Sequence, residues 1–207
     1  MVETQIARRG VRAPEVLGAM RTVPRHLFVP AEYERAAYED HPLQIGFGQT
    51  ISQPYMVAAM TELLELRPED RVLEVGAGSG YQAAVLATLA REVISIERHP
   101  GLAERAADRL AGLGYDNAVV YCGDGSLGWP DEAPYDAILV TAGSPCIPHA
   151  LKNQLAPGGR LVCPTGSRDV QRLINIVRTE TGFTETYGIS CIFVPLIGEQ
   201  GWPEDTF

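Results

Sequence analysis

A short apolar run that ends in a glycine-rich turn constrains the fold of this 207-residue chain more than any other feature. Residues 71–75 predict a strand, residues 76–80 form a glycine loop, and residues 81–91, rich in alanine and leucine, predict a helix. The loop has glycines at three alternate positions, Gly76, Gly78 and Gly80. Glycines let a backbone pass close to a ligand because they carry no Cβ atom, and nucleotides bind at the first such turn of a doubly wound sheet.

Strand and helix patterns alternate along the chain after residue 71. Further strands are predicted at 92–96, 118–122, 135–141 and 160–163, with helices at 100–113 and 147–155, the second ended by Pro157-Gly158-Gly159. This alternation predicts the α/β class, with a Rossmann-like, doubly wound, mostly parallel sheet and helices on both faces. Two β-rich runs, 171–178 and 187–194, joined by the polar stretch 179–186, predict an antiparallel C-terminal edge.

The first 70 residues are more helical and more interrupted than the rest. Helices are predicted at 12–20 and 53–66, with a Pro-rich bend between them. These elements are too few to build an independent core, so we expect a single domain over residues 1–207. Residues 1–70 would form a helical N-terminal cap, 71–165 the ligand-binding βαβ core, and 166–207 the C-terminal strands with a frayed end at 203–207.

The charge balance argues against two classes of partner. Seventeen Lys and Arg residues against 26 Asp and Glu residues give a net charge of −9, which disfavours nucleic acid and anionic membranes as partners. The apolar stretch at residues 83–90, interrupted only by Thr88, is far shorter than the roughly 20 residues that a membrane-spanning helix needs. The first ten residues do not resemble a signal peptide. We therefore expect a cytoplasmic protein and favour a monomer.

The cysteines and histidines give no pattern typical of a metal site. No Cys-x-x-Cys pair occurs among the four cysteines, and the four histidines are scattered along the chain. We therefore predict no metal ligands, and free thiols in a reducing compartment. Cys163 and Cys191 lie in apolar stretches and are expected to behave as small core residues.

The spacing of the glycine loop indicates which kind of ligand it holds. A dinucleotide site needs Gly-x-Gly-x-x-Gly, but the position of its third glycine is occupied by Tyr81. The acidic residue before the loop, Glu74, is poorly placed beside a pyrophosphate and well placed near a cationic ligand with an ammonium group. The stretch resembles motif I of the S-adenosylmethionine-dependent methyltransferases. A dinucleotide site or a tight turn without a ligand are the alternatives.

Two further acidic positions complete the expected cofactor site. Glu97 ends the second predicted strand, where a carboxylate can accept hydrogen bonds from both ribose hydroxyls, and the adjacent Arg98 is included in the predicted site. Gly123 and Asp124 follow the third strand, where the Asp124 carboxylate or an adjacent amide can read the adenine amino group. The alternatives are a solvated acid at a helix start for Glu97 and a plain turn for Asp124.

Four segments carry a more specific resemblance. Residues 45–56 are similar to the signature of the protein-L-isoaspartate O-methyltransferases, and so are residues 23–30, 155–161 and 193–198. The similarity runs from about residue 10 to Trp202 and is closest to the bacterial members. Gln44 and residues 141–145 depart from the usual family pattern.

The resemblance implies a fold, a reaction and a cofactor. It implies a methyltransferase-type Rossmann-like sheet with added terminal elements. The methyl group would move from S-adenosyl-L-methionine to the α-carboxylate of L-isoaspartyl residues in damaged proteins and peptides, leaving S-adenosyl-L-homocysteine. It further implies that Ser52 is the active-site serine and that Phe193 and Val194 pair with the substrate backbone. The residues it assigns to the same loop, near cofactor and substrate, are Gln49, Thr50 and Ile51.

The chemistry of this acceptor explains why no catalytic dyad is visible. An α-carboxyl group has a pKa of about 3.5, so it is already ionised at neutral pH and needs no base. Ser52 would then orient the carboxylate by donating a hydrogen bond; the alternative is that Ser52 is the N-cap of the helix that follows. Two other functions remain open: a methyltransferase for a small-molecule carboxylate or another acceptor, and a binding module without chemistry.

Overall fold

The computed structural model describes residues 1–204, and a seven-stranded sheet forms its centre. A separate hairpin precedes it, made of β1 (Leu43–Gly46) and β2 (Gln49–Ile51). The sheet strands are β3 (Arg71–Val75), β4 (Glu92–Glu97), β5 (Ala118–Cys122), β6 (Tyr135–Val140), β7 (Leu155–Gly166), β8 (Gln171–Thr179) and β9 (Gly182–Cys191). They lie in the order β5-β4-β3-β6-β7-β8-β9. The first five in this order are parallel and the last two antiparallel, which confirms the predicted fold class.

Five α-helices accompany these strands in residues 1–204. They are α1 (Pro14–Thr22), α2 (Pro54–Leu63), α3 (Tyr81–Ala87), α4 (Pro100–Gly112) and α5 (His149–Asn153). A proline begins α1, α2 and α4, where its missing N–H leaves no helical hydrogen bond unmade. Short 3₁₀ turns at Arg25–Phe28 and Ala31–Ala36 connect α1 to the β1–β2 hairpin. None of the described helices is long and apolar enough to cross a membrane.

Buried side chains form two clusters, one on each face of the sheet. Neighbouring strand residues fall in different clusters, as Val72 and Leu73 do, because alternate side chains of a strand point to opposite faces. The first cluster packs the sheet against α1 to α4, and the second packs it against Leu151 of α5 and Leu196 near the C-terminus. Helices on both faces leave the carboxyl edge of the parallel strands as the open end of the sheet.

Three predicted helices are each four residues shorter in the structure than the sequence suggested, and one of them is α2, which covers Pro54–Leu63 of the predicted 53–66. Helix α3 ends at Ala87, whereas the prediction ran to residue 91. The side-chain amide of Asn117 donates hydrogen bonds to the carbonyls of Ala87 and Ala90, at 2.9 and 3.1 Å, and so takes the place of further helical bonds. Helix α5 covers only five residues of the predicted 147–155.

The Pro-Gly-Gly segment lies within a strand rather than ending a helix. Strand β7 begins at Leu155 and includes Pro157, Gly158 and Gly159. Tyr135 pairs with Leu155, but Ala137 already pairs with Arg160, so the residues between form a bulge. A bulge accommodates both a proline and a glycine with positive φ, and Gly158 has a φ of 76°.

The C-terminal hairpin is longer than predicted and ends earlier. Strand β9 begins at Gly182, so most of the polar stretch 179–186 is strand. It ends at Cys191, so Phe193 and Val194 lie beyond it. Strand β9 is the sheet edge and has no buried residue, which permits polar side chains on both faces and hides the period-2 pattern. Part of the predicted frayed end, residues 205–207, lies outside the described residues.

Candidate active site

A deep cavity opens at the carboxyl edge of β3, β4 and β6. Strand β3 lies between β4 and β6, so the chain reverses its winding direction at this point, which is where doubly wound sheets bind ligands. The cavity encloses about 860 Å³, including space open to solvent. Its apolar walls are formed by Val57, Val75, Ile96 and Leu196, and we call it the first cavity.

The glycine loop forms the floor of the first cavity. Gly76 has a φ of 101°, and a Cβ atom there would lie 2.4 Å from the Oγ1 atom of Thr141. Gly78 also lies on the lining, with a φ of 53°. Gly80 caps α3 and packs against Ala106, outside the lining. The first two glycines thus keep the floor open, whereas Gly80 allows α3 to pack closely on α4.

Glu97 ties the glycine loop to the end of β4. Its Oε2 atom accepts a hydrogen bond from the Gly78 N–H at 2.9 Å, and its Oε1 atom accepts one from the His99 N–H at 2.9 Å. The residue is 5% exposed and lies on the cavity lining. Each carboxylate oxygen retains capacity for a second hydrogen bond. Arg98, also on the lining, pairs with Glu204 at 2.6 Å.

Glu74 lies beneath the cavity rather than on its lining. It is fully buried in β3, where the hydroxyl of Ser95 donates a hydrogen bond to its Oε2 atom. Its Oε1 atom has no partner among the described residues. Burial raises the pKa of the Glu74 carboxyl to about 8, with a smaller contribution from the nearby charge of Glu97. The carboxyl is therefore largely protonated at neutral pH when no cation lies beside it.

The structure does not bring Asp124 or Gly123 onto the cavity lining. The Asp124 Oδ1 atom accepts hydrogen bonds from the backbone and hydroxyl of Ser126, at 2.9 and 2.7 Å. Its Oδ2 atom accepts one from the Glu199 N–H at 2.8 Å. Asp124 thus holds the C-terminal segment against the sheet, and the neighbouring Gly125 lies on the lining in its place.

The loop after β2 carries the predicted active-site serine. Gln49, Thr50, Ile51 and Ser52 all lie on the first cavity. The N-cap of α2 is Gln53, without a side-chain cap hydrogen bond, so the alternative reading of Ser52 as the helix cap is wrong. Within residues 1–204 no group shares a hydrogen bond with the Ser52 hydroxyl. The backbone carbonyl of Ser52 accepts a hydrogen bond from Arg25 at 2.7 Å.

A second cavity adjoins the first across this loop. It encloses about 720 Å³, again including open space, and Thr50, Ser52, Thr141 and Val194 line both cavities. Its outer wall comes from the end of β9 and the residues after it, among them the half-buried Cys191 and the exposed Ile192. All four cysteines are free thiols, and only Cys163 is fully buried.

Phe193 and Val194 lie on the second cavity with part of their backbone unpaired. The Phe193 N–H donates to the side chain of Gln171, and the Val194 carbonyl accepts from the Gly143 N–H, both at 2.8 Å. Within residues 1–204 the Phe193 carbonyl and the Val194 N–H make no hydrogen bond. These two groups remain available to a ligand.

Several lining residues were missed by the sequence analysis. Thr141 directly follows β6, and its hydroxyl, with one proton to donate, lies 2.9 and 2.6 Å from the carbonyl oxygens of Val75 and Gly76. Its position at a strand end beside the glycine loop is a signal that the sequence contains. His99, Leu196 and Ile197 also line the first cavity. The last two reach it only because the C-terminal segment folds back, which no local pattern indicates.

The fold and the first cavity together define a class of protein. A seven-stranded sheet of this order, with a Gly-x-Gly-x-Gly loop and an acidic residue at the end of the neighbouring strand, is that of an S-adenosylmethionine-dependent methyltransferase. The profile of the family "Protein-L-isoaspartate(D-aspartate) O-methyltransferase (PCMT)" matches residues 1–201. The chain belongs to this family.

Curated relatives and solved structures agree with this assignment. A protein-L-isoaspartate O-methyltransferase of Methanoculleus marisnigri is 59% identical over 203 residues, covering 98% of this chain and 92% of the relative. One from Syntrophobacter fumaroxidans is 56% identical over 202 residues, covering 98% and 94%. A solved protein-L-isoaspartate O-methyltransferase superposes with a TM-score of 0.84 at 31% identity, covering 94% of this chain and 64% of its own. A Plasmodium falciparum structure described as this enzyme in complex with S-adenosyl-L-homocysteine has a TM-score of 0.80 at 27% identity, covering 92% and 94%.

Proposed function

We propose that this protein transfers a methyl group from S-adenosyl-L-methionine to the α-carboxylate of L-isoaspartyl residues in damaged proteins and peptides. The donor would occupy the first cavity and the isoaspartyl residue the second. The observation that carries the proposal is the position of Ser52, which lines both cavities with a hydroxyl that no described residue engages. Family membership supports the same reaction.

The residues of the first cavity fit the proposed donor. Glu97 offers two carboxylate oxygens with spare acceptor capacity to a pair of ribose hydroxyls. The apolar walls suit an adenine ring. Glu74 lies beneath the lining, so a cationic ligand would act on it through its charge and favour the ionised carboxylate. When bound, S-adenosyl-L-methionine supplies an activated methyl group on a positively charged sulfur.

The protein's own contribution is orientation in an enclosed space. The acceptor carboxylate arrives ionised, so no residue has to remove a proton. Ser52 would donate a hydrogen bond to one carboxylate oxygen and fix the other oxygen toward the first cavity. Thr50, which also lines both cavities, has a hydroxyl in the same wall. Alignment of this kind can contribute roughly 7–11 kcal/mol to a transfer reaction.

The unpaired backbone groups of Phe193 and Val194 support a polypeptide acceptor. The carbonyl and the N–H belong to one trans peptide unit and point in opposite directions, so an extended substrate on either side can pair with one of them. Contacts to main-chain groups do not depend on side chains, which suits a substrate found in many sequence contexts. A small-molecule carboxylate would not use these groups, and this alternative predicts that residues 193–194 have no influence on turnover.

Transfer of labelled methyl groups to a synthetic isoaspartyl peptide tests the proposal. The matched peptide with a normal aspartyl residue is the control, and a free dicarboxylic acid tests the small-molecule alternative. We expect base-labile labelling of the isoaspartyl peptide alone. Equal labelling of both peptides, or no labelling by a protein that binds S-adenosyl-L-homocysteine, would refute the proposed substrate.

We further propose that the chain works as a single domain, as a monomer, in the cytoplasm and without nucleic acid. The net charge of −9 supports the last point, because nucleic-acid binding needs clustered cationic residues. Light scattering and a fluorescent fusion in the host cell test these points. A dimer, or a fluorescent signal outside the cytoplasm, would contradict them.

A further inference from the structure

Arg25 is a fully buried cation directly behind the active-site loop. It begins the 3₁₀ turn Arg25–Phe28 and has 0% exposure. Its Nε atom donates to the carbonyl of Ala37 and its Nη2 atom to the carbonyl of Ser52, both at 2.7 Å. Its planar guanidinium therefore joins two separate segments of the chain, and one of them contains Ser52, which lines both cavities.

The charge of Arg25 is not matched by a carboxylate. Within residues 1–204 it forms no ion pair; the charge of Asp40 stabilises it without direct contact, and the Oδ2 atom of Asp40 is paired with Arg9 at 2.7 Å. The guanidinium carbon lies 4.8 Å from the centre of the Tyr81 ring, and the Nη1 atom is buried without a partner. Burial lowers the pKa of Arg25 to about 10, so the group remains a cation at neutral pH.

A buried cation of this kind is costly unless something compensates it. Removing an ion from water carries a penalty of several kcal/mol, which two carbonyl acceptors and one aromatic ring offset only in part. Arg160 shows the usual solution in the same protein. It is also buried and also bonded to carbonyls, but Asp70 pairs with it at 2.5 Å. Arg25 thus differs from Arg160 in that no carboxylate among the described residues pairs with it.

The contact with Ser52 suggests what Arg25 acts on. No other hydrogen bond holds Ser52 in the part of the chain that the structure describes, because its hydroxyl is free and α2 is capped at Gln53. The Arg25 guanidinium is thus the only hydrogen-bond partner of Ser52 among the described residues. An anion that accepts a hydrogen bond from the Ser52 hydroxyl would also lie near the Arg25 guanidinium, which donates to the carbonyl of the same residue.

We propose that Arg25 is a positioning residue for the acceptor. It fixes the Ser52 backbone so that the hydroxyl meets the substrate carboxylate, and its positive charge compensates that carboxylate when it binds. This inference rests on the proposed function, since it takes the acceptor to be an anion next to Ser52. The anion that compensates Arg25 is then the substrate itself.

Two substitutions separate the contribution of the Arg25 charge from that of its two hydrogen bonds. Arg25→Met removes both the charge and the two hydrogen bonds to carbonyls. We therefore expect the KM for the isoaspartyl peptide to rise at least about tenfold and kcat to fall about tenfold. Arg25→Lys keeps the charge but cannot span both carbonyls in one plane, so the KM should return toward the wild-type value while kcat stays low. The dissociation constant of S-adenosyl-L-homocysteine should change less than about threefold in both variants.

Arg160→Lys is the matched control, since it alters a buried arginine whose carbonyl partners, among them Leu64 and Glu65, line neither cavity. It should lower the melting temperature without changing either kinetic constant. The inference is overturned if the folded Arg25→Lys and Arg25→Met variants keep the wild-type KM and kcat. It is overturned as well if the affinity for S-adenosyl-L-homocysteine falls in parallel with activity. It is also overturned if neither variant folds, because Arg25 would then be a folding residue. Inactivity of the unaltered protein would instead refute the proposed function.

Discussion

The carboxylate of Glu97 accepts a hydrogen bond from the backbone N–H of Gly78 at 2.9 Å. This contact joins the end of β4 to the middle of the glycine loop that follows β3. The residue that is predicted to hold the ribose of the cofactor therefore also sets the shape of the loop beneath it. Cofactor affinity and loop geometry cannot be changed independently at this position.

Glu97→Gln should weaken the binding of S-adenosyl-L-homocysteine about 10- to 100-fold, because charge-assisted hydrogen bonds are worth roughly 1.5–3 kcal/mol. An amide also places an N–H₂ group opposite one of two backbone N–H donors. Isothermal titration calorimetry measures the change. Glu92→Gln, at the other end of β4 and paired with Arg71 at 2.6 Å, is the control and should bind normally. Unchanged affinity in Glu97→Gln would remove this residue from the cofactor site.

Ser52→Ala should reduce kcat/KM for an isoaspartyl peptide by about 10- to 100-fold and leave the affinity for S-adenosyl-L-homocysteine nearly unchanged. The expected loss is that of one hydrogen bond to a charged group, about 1.5–3 kcal/mol. Steady-state kinetics and calorimetry give the two values. Thr184→Ala, an exposed hydroxyl on β9, controls for the general effect of removing a hydroxyl. Equal losses in turnover and cofactor affinity would contradict an orienting role.

Gly76→Ala should lower the free energy of unfolding by about 2–4 kcal/mol and abolish cofactor binding. The new Cβ atom would lie 2.4 Å from the Thr141 Oγ1 atom, on a backbone with a φ of 101°. Urea denaturation measures the loss. Gly112→Ala at the end of α4 meets nothing within 4 Å and should be neutral or slightly stabilising. Similar behaviour of the two variants would show that the floor of the cavity can shift.

Glu74→Gln should change how stability depends on pH. The pKa of Glu74 is raised from 4.5 to about 8 by burial, so between these values the folded protein keeps a proton that the unfolded chain has lost. The free energy of unfolding of the unaltered protein should therefore fall as the pH rises through this window, and the contribution is constant above about pH 8. The glutamine variant lacks this contribution and should show a flatter profile.

Urea denaturation of both proteins at about pH 5, 6, 7 and 8 covers this pH range and gives the free energy of unfolding at each pH. The variant should gain stability relative to the unaltered protein with each step, by at least about 1 kcal/mol in total. Glu104→Gln, an exposed carboxyl on α4, serves as the control. Parallel profiles for Glu74→Gln and the unaltered protein would show that Glu74 does not carry a raised pKa.

Much of the fold could be predicted because the signals are local. The apolar runs of β3 to β6 are bounded by glycine, proline or polar residues, and Glu97 follows its strand directly. The position of Glu97 at the sheet edge then follows from the geometry of parallel strands. Strand β9 begins five residues before the predicted start and ends three residues before the predicted end, because it is exposed on both faces and has no buried face to impose alternation.

The parts of the site that escaped prediction depend on contacts between distant residues. The contact of Asp124 or an adjacent amide with adenine stays a prediction, but the sequence did not indicate that its carboxylate would bind Ser126 and the Glu199 N–H, 75 residues further along. Thr141 was seen only as a departure from a family pattern, yet it supports the floor of the first cavity. Arg25 stood in a recognised motif, but its contact with Ser52 crosses 27 residues and has no periodic signature.

The first cavity is closed on one side by residues 194–197, which the ribosome adds only after every strand of the sheet has been made. The hydrogen bonding that completes the sheet therefore does not by itself complete the cavity. Cleavage just before residue 194 would remove one wall of the cavity together with Leu196 of the second core cluster. A ligand-binding assay on the cleaved protein, beside its melting temperature, would separate the loss of the wall from the loss of stability.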